Sequence, residues 1–510
     1  MNTPAGDRPS GPPPAGRSPV ALLALVFLGA LGSLGMMLFA GQIGAIPRGI
    51  DPAWWFSAPQ SWTSGWIVPH TGFYCSFVLL ATAWWRLGIV ARVGALTLPW
   101  AGVAGVTWAT PLFIGVPLFS RDIYSYIGQS QLAASGLDPY LVAPAALGPG
   151  PVLDSIATVW HHTPSPYGPL FVLLGHVVFL LGGKSVISEV LAFRALELVG
   201  LVLAGWAIAA LARHQGHDPG LALWLGLLSP LALFSFVSSA HNDALMIGLL
   251  LVGLLLGTRG HLAWGIALCS LGATVKLPAL AGVVFLVVPA LTGVPARRKA
   301  QVILEAVGIP AAVFFGVTEV AGYGWTWLGL RTYRIPTELK VLITPVISLS
   351  RWLHGLLHAV GLPVGEGVVT GVVELLAALA VAAGCLALLL RARRDPVVPL
   401  LALALLLVAV ASPTVWPWYY TWGLCLAATT AAQRSRVLAL LALGAMLLVG
   451  AGGTPMLNGG AYWVTGPLVV AAVVYFARKR RWTFGIPIPW ADLAADVSSP
   501  AEDLGGIHAR

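Results

Sequence analysis

The chain has 510 residues, of which 58% are hydrophobic and only 9% charged, with a formal charge of +9. An ordinary soluble domain carries roughly 25% charged residues, so this composition excludes a water-bathed globular surface. The positive charge does not point to nucleic acid either, because the basic residues are scattered as short clusters between apolar runs, as in loops facing the cytoplasm.

A spanning helix needs about 20 apolar residues to cross a hydrocarbon core of roughly 30 Å, and such stretches recur from Val20 to Phe476. Residues 1 to 18, rich in Pro and Gly and carrying Arg8 and Arg17, read as a disordered cytoplasmic tail. The apolar run that follows exceeds a signal-peptide core and shows no cleavage site, so it is kept as the first span. Spans are expected near 20 to 41, 71 to 87, 94 to 118, 189 to 211, 219 to 236, 243 to 257, 262 to 275, 277 to 293, 300 to 318, 366 to 390, 397 to 413, 418 to 432, 437 to 452 and 462 to 477. The expected fold is therefore an all-α polytopic membrane protein with about fourteen spans in a catalytic domain over residues 19 to 478. Residues 479 to 510, with Asp492, Asp496, Glu502 and Asp503, read as a solvated cytoplasmic tail.

The run from Leu170 to Gly182 is too short for an ordinary span and reads as a re-entrant or interfacial segment. With it excluded, Arg86/Arg92, Arg213, Arg259, Arg297/Arg298/Lys299, Arg391/Arg393/Arg394, Arg434/Arg436 and Arg478 to Arg481 all fall on the side of the N-terminal tail. The positive-inside rule then places both termini in the cytoplasm of a plasma-membrane protein. Segments 42 to 70, 119 to 188 and 319 to 365 face outward and are too long to be mere connections. The cysteines, Cys75, Cys269, Cys385 and Cys425, lie in or at the ends of apolar runs without CxxC spacing, so neither disulfides nor a zinc site is expected.

Ionisable residues at span ends on the outer face are the functional candidates, because charge beside a membrane is costly. The sharpest is Phe119-Ser120-Arg121-Asp122-Ile123-Tyr124-Ser125-Tyr126, where Asp122 can act as a general base at the water boundary. Capping and anchoring of a helix end by Arg121 and Asp122 is the alternative. Gly136-Leu137-Asp138-Pro139-Tyr140 and the loop His161-His162-Thr163-Pro164-Ser165-Pro166-Tyr167-Gly168-Pro169 have turn chemistry, with His161, His162 and Tyr167 as ligand contacts. Two adjacent histidines do not readily share one metal, so no metal site is assigned there.

Ser238-Ser239-Ala240-His241-Asn242-Asp243 either caps the helix after it or forms a polar site for sugar hydroxyls or phosphate through His241, Asn242 and Asp243. Lys276 either snorkels as an anchor or neutralises a phosphate, and Arg331 and Arg334, after Trp325 and Trp327, pose the same choice. In Trp416-Pro417-Trp418-Tyr419-Tyr420 the aromatics either belong to an interfacial belt or offer platforms for pyranose rings.

The order FSRDIYSY, GLDPY, PYGPL, AHNDALM, TVKLPA and WPWYY, across positions 119 to 420, resembles the actinobacterial polyprenol-phosphomannose-dependent alpha-1,6-mannosyltransferases of the MptA/MptB type, in the GT-C glycosyltransferase superfamily. The resemblance implies a GT-C fold with juxtamembrane helices in its external loops, and a cell-envelope enzyme that moves mannose from a polyprenyl phosphomannose donor to a lipid-anchored mannan on the outer face. It also implies that the essential acid of the first large external loop is Asp122. Many relatives carry two neighbouring acids there, whereas Ile123 follows here, which tells against a two-carboxylate or metal-bridging mechanism.

The expected reaction is inverting transfer. Asp122 takes the proton of the acceptor hydroxyl, which attacks the anomeric carbon as the polyprenyl phosphate departs; phosphate leaves without a general acid, so one carboxylate suffices. Arg121, Lys276, Arg331 and Arg334 are the candidate cations for the donor phosphate. Tyr124, Tyr126, His161, His162, Tyr167, His241, Asn242, Asp243, Trp416, Trp418, Tyr419 and Tyr420 are the candidates for sugar and acceptor. No Gly-rich phosphate loop is present and no cofactor is expected, with a divalent cation left open. The rival classes are a lipid-linked sugar flippase or transporter, which would place charges at mid-membrane, and a non-catalytic scaffold, in which Asp122 would be dispensable.

Overall fold

A computed structural model describes residues 19–47, 50, 56–57, 65–183, 185–329, 344–431, 434–453 and 461–478. The tails 1 to 18 and 479 to 510, and Arg331 and Arg334, lie outside the described residues. The described elements are helical throughout. Helix α1 (Pro19–Phe39) runs antiparallel to α2 (Ile67–Arg92), with Gly32 against Leu80 and Phe39 against Gly72, and α3 (Leu98–Ile114) packs beside α1. The segment beyond holds α4 (Asp122–Ala134), the short α5 (Pro151–Ser155) and α6 (Pro169–Gly182). Then come α7 (Val186–His214) and the pair α8 (Pro219–Gly226) and α9 (Pro230–Ser238), bent by 55° at their junction. Four more follow: α10 (Asp243–Thr258), α11 (Leu262–Ala273), α12 (Leu280–Ala290) and α13 (Ala296–Ala321). The C-terminal part contains α14 (Pro345–Ala359), α15 (Glu366–Arg391), α16 (Val397–Ala411), α17 (Tyr420–Ala428), α18 (Ser435–Met446) and α19 (Tyr462–Arg478).

Several helices lack the length that the apolar runs suggest. Among the described residues, α1, α2, α7, α13 and α15 are each long and apolar enough to cross a bilayer, and the bent α8–α9 pair makes a sixth. The others are shorter, and several stop or break inside the run that was expected. The run expected from 94 to 118 closes at Gly115, after Pro111 has entered the last helical turn, and the chain continues extended to α4. The run from 219 to 236 breaks before Pro230, where Ser229 accepts the Ala232 N–H and starts a new turn that ends as a π-helix. Runs 277 to 293 and 418 to 432 both open with a 3-10 turn.

The segment 170 to 182 is a helix of 14 residues, α6, packed along α4 and the opening turns of α7 rather than inserted as a separate long span. Tyr126 of α4 meets Phe171 of α6 at 4.9 Å and Phe193 of α7 at 5.8 Å, and Gln131 Nε2 donates to Glu189 at 2.7 Å. From this cap α7 passes inward alongside α10, with Gly200 against Leu245.

Connections sort into two ends. At one, Gln215 Nε2 donates to Thr429 Oγ1 at 3.3 Å, Arg92 lies near Arg436, and Leu96 abuts Gly220. At the other, Phe119 N–H donates to Ala451 at 2.6 Å, and Gly168 N–H to Val275 at 3.0 Å. Between them Trp84 and Trp224, stacked at 4.9 Å, exchange indole N–H bonds to each other's carbonyls at 2.9 and 2.7 Å, locking α2 to α8. The outer helices leave apolar surface uncovered: Leu304 of α13 is 73% exposed and Leu376 of α15 is 60% exposed, each among similar neighbours. Contiguous apolar surface of this extent requires a lipid coat, so the chain is a membrane protein.

Candidate active site

The site lies at the end of the bundle away from Arg92 and Arg436. Beyond Gly115 the chain runs extended to Phe119, whose φ of 67° is left-handed, an uncommon setting for a non-glycine residue. Ser120 Oγ then accepts the Asp122 N–H at 3.1 Å and starts α4. Capping therefore falls to Ser120, and neither Arg121 nor Asp122 caps the helix with its side chain. The Asp122 carboxylate instead turns toward the second strap, residues 239–242, where Ala240 is also left-handed at φ 47°.

On that strap His241 Nδ1 lies 3.7 Å from Asp122 Oδ2 and 3.4 Å from the Tyr126 hydroxyl. Its ring stacks on Trp418 at 3.8 Å, and Trp418 stacks on Trp416 at 5.1 Å with the planes 9° apart. Asp243 begins α10 without capping it, as does Asn242 before it, so the capping alternative fails for both side chains. Asp243, fully buried, holds Lys276 Nζ at 2.8 and 3.0 Å and accepts the Trp422 indole N–H. The ammonium sits over the rings of Tyr419 at 5.0 Å, Trp422 at 5.7 Å and Tyr167 at 5.9 Å.

Burial raises the Asp122 carboxyl from 3.8 to about 7; Lys276 opposes the shift, Asp243 adds to it, and a hydrogen bond from Trp160 opposes it. Burial and the nearby Lys276 push His241 well below its ordinary value, so it stands neutral beside the acid. A carboxyl poised near neutrality next to a neutral imidazole suits proton transfer.

A cavity of about 1000 Å³ opens over Asp122, with Arg121, Asp154, Trp160, His161, Trp416 and Trp418 in its wall. Gly453, at φ 81°, passes close enough that a Cβ would stand 3.2 Å from the Ser120 Cα, a tight contact at a backbone setting that favours glycine. A smaller cavity of about 220 Å³ adjoins it, with Arg121 in both walls and His70 and Tyr74 in the second. Among the described residues, Arg121 Nε has no hydrogen-bond partner.

The structure thus brings together Arg121, Asp122, Tyr126, His161, Tyr167, His241, Asp243, Lys276, Trp416, Trp418 and Tyr419. Tyr124 is buried away from the cavity, near Arg194, because two residues along a helix reverse the face. His162 is exposed outside the cavity wall, Tyr420 is buried one residue past Tyr419 on another side of its turn, and Asn242, at the end of the strap, is fully buried and outside the cavity wall. Trp160, Trp422, Asp154, Arg194 and Glu197 were not among the sequence candidates. For the last two the readable signal is a pair of opposite charges three residues apart inside an apolar run.

A cavity with one buried carboxylate at its edge and paired indoles in its wall, set at the end of a membrane bundle, has the make-up of an enzyme site that handles sugars. Residues 26–292 match the family described as alpha-(1->6)-mannopyranosyltransferase, N-terminal domain, and residues 348–479 match the MptB C-terminal domain. The chain is 33% identical to alpha-(1->6)-mannopyranosyltransferase A of Mycobacterium tuberculosis over 79% of this chain and 80% of the relative. It is 30% identical to the protein of the same name from Corynebacterium glutamicum over 47% of this chain and 53% of the relative. A probable alpha-(1->6)-mannopyranosyltransferase of Mycolicibacterium smegmatis is 33% identical over 62% of each chain. No solved structure matches. The chain belongs to the alpha-(1->6)-mannopyranosyltransferase family and is a glycosyltransferase.

Proposed function

We propose that this protein is an inverting alpha-1,6-mannosyltransferase of the GT-C type, with about fourteen spans, that carries mannose from polyprenyl phosphomannose to a lipid-anchored mannan. The observation that carries the reading is Asp122: a carboxylate at the edge of a large cavity, raised to about 7 and faced by His241. The acceptor hydroxyl gives its proton to Asp122 as its oxygen bonds to the anomeric carbon, and the bond to the phosphate breaks with its electron pair leaving on the phosphate. Arg121, in the walls of both cavities, meets the phosphate, with Arg331 and Arg334 as further candidates. The Trp416–Trp418 stack supports a pyranose ring, and no cofactor is expected, with a divalent cation left open.

On this reading the Arg92 and Arg436 end is cytoplasmic and the cavity opens on the outer face of the plasma membrane, where a lipid donor presents its headgroup; the clustering of basic residues at the first end supports it. Purified protein is incubated with radiolabelled polyprenyl phosphomannose and short mannoside acceptors, followed by linkage analysis. A new alpha-1,6 bond supports the proposal; translocation of the lipid-linked sugar in acceptor-free vesicles, without any transfer to acceptor, overturns it in favour of a carrier.

A further inference from the structure

Arg194 and Glu197 stand one turn apart on the same face of α7, and both are 0% exposed. Arg194 donates from Nη1 to the carbonyls of Phe113 and Gly115, the latter at 2.7 Å, and from Nε to the Ser238 carbonyl at 3.0 Å. Those carbonyls close α3 and α9, and from them depart the strap leading to Asp122 and the strap carrying His241. Glu197 Oε2 accepts the Leu245 N–H at 3.0 Å, one of the first-turn amides of α10 that the helix itself leaves unpaired. The straps also bond each other: Leu118 N–H donates to Ser238 Oγ at 3.0 Å, and Ser239 Oγ donates to the Leu118 carbonyl.

A span needs no charge to fold in lipid, and an intramembrane charge is expensive. Left-handed non-glycine residues such as Phe119 and Ala240 persist only where the surroundings over-determine them. Arg194 supplies that determination at three carbonyls, and Glu197 at the amide end of the helix that begins with Asp243.

We infer that Arg194 and Glu197 are positioning residues, which hold the two straps at the separation that sets Asp122 against His241 and Asp243 against Lys276. Neither touches the cavity, and the role rests on the reading of Asp122 as the base. A lysine in place of Arg194 offers one nitrogen where the guanidinium bonds the two straps from separate nitrogens of a planar fork. Loosened straps admit water to Asp122, whose other neighbours are Arg121, Tyr126, Trp160, Tyr167, His241, Asp243 and Lys276.

The test is the pH profile of mannosyl transfer by the full-length protein in detergent or nanodiscs. Arg194→Lys is expected to lower kcat by about 10- to 100-fold with KM little changed, and to move the acidic limb to lower pH as Asp122 becomes better hydrated. Glu197→Gln keeps an oxygen for Leu245 N–H and is expected to stay within about threefold of wild type, whereas Glu197→Leu loses kcat with the same limb shift. Ser239→Ala is the milder variant should Arg194→Lys fail to accumulate, with a smaller loss and a shift in the same direction. Folded variants whose limb stays at the wild-type pH overturn the inference, as does a folded Glu197→Gln as defective as Glu197→Leu. Asp122→Asn is run in parallel. If it retains turnover, the base and this role fall together; if it is dead while the Arg194→Lys limb stays put, the positioning role alone falls.

Discussion

His241 Nδ1 faces Asp122 Oδ2 across 3.7 Å, on a ring held from behind by Trp418 at 3.8 Å. The two residues follow two straps that hydrogen-bond each other, each bent through a left-handed residue. The acid is thereby dry enough to be raised and open enough to meet a sugar hydroxyl.

Turnover should depend on pH through that acid. The base must be ionised, so kcat/KM is expected to fall as pH drops through about 7, far above the ordinary carboxylate value of 3.8. A rate profile from pH 5 to 9 measures this limb. A limb near 4 would mean that Asp122 does not govern the step.

The Asp243–Lys276 pair should behave as a unit. Removing one partner strands a buried charge, so Lys276→Met is expected to cost about 3–5 kcal/mol of stability, and adding Asp243→Asn should recover much of it. Thermal unfolding of both single variants and the double variant reads the coupling; additive losses would contradict it.

The indole stack should divide binding from chemistry. Trp416 lines the cavity without touching His241, so Trp416→Ala is expected to raise the acceptor KM about 10-fold while kcat stays near wild type. Trp418 also backs His241, so Trp418→Ala should lower kcat as well. Steady-state kinetics with a short mannoside acceptor separates the two.

At mid-bundle the tryptophan exchange is structural. Trp84→Phe leaves the Trp224 carbonyl without its indole donor and is expected to cost about 1–3 kcal/mol, with kcat per folded molecule unchanged. A lowered unfolding temperature with normal turnover checks it.

Much of this arrangement was legible in the chain. The spans of α1, α2, α7, α13 and α15 follow from uninterrupted apolar length, and Asp122 stood out as a charge at the end of such a run. Helix ends at the site were less legible, since Gly115 and Pro230 cut spans that hydropathy alone would continue, and the 3-10 turn at Leu277 delays the start of α12 to Leu280. Arg194 and Glu197 were hidden because a window average dilutes two charges among apolar neighbours, although their purpose is local backbone satisfaction. Trp160 and Trp422 joined the site through tertiary approach, and the Lys276–Asp243 pair bridges 33 residues of sequence that no local pattern connects. Tyr124 and Tyr126 were treated alike, whereas helical periodicity sends only Tyr126 toward His241.

Burial makes the ionised Asp122 unfavourable for folding: its raised value favours the folded state at low pH, and this contribution is lost as pH rises through about 7. Asp122→Asn should therefore match or exceed the wild-type unfolding free energy at pH 8, by at most about 4 kcal/mol, and lose that advantage at pH 4. Measured on that same folded variant, mannosyl transfer from polyprenyl phosphomannose is the most direct test. The expected result is no transfer above background at pH 8; near-wild-type turnover by Asp122→Asn would contradict its role as the base.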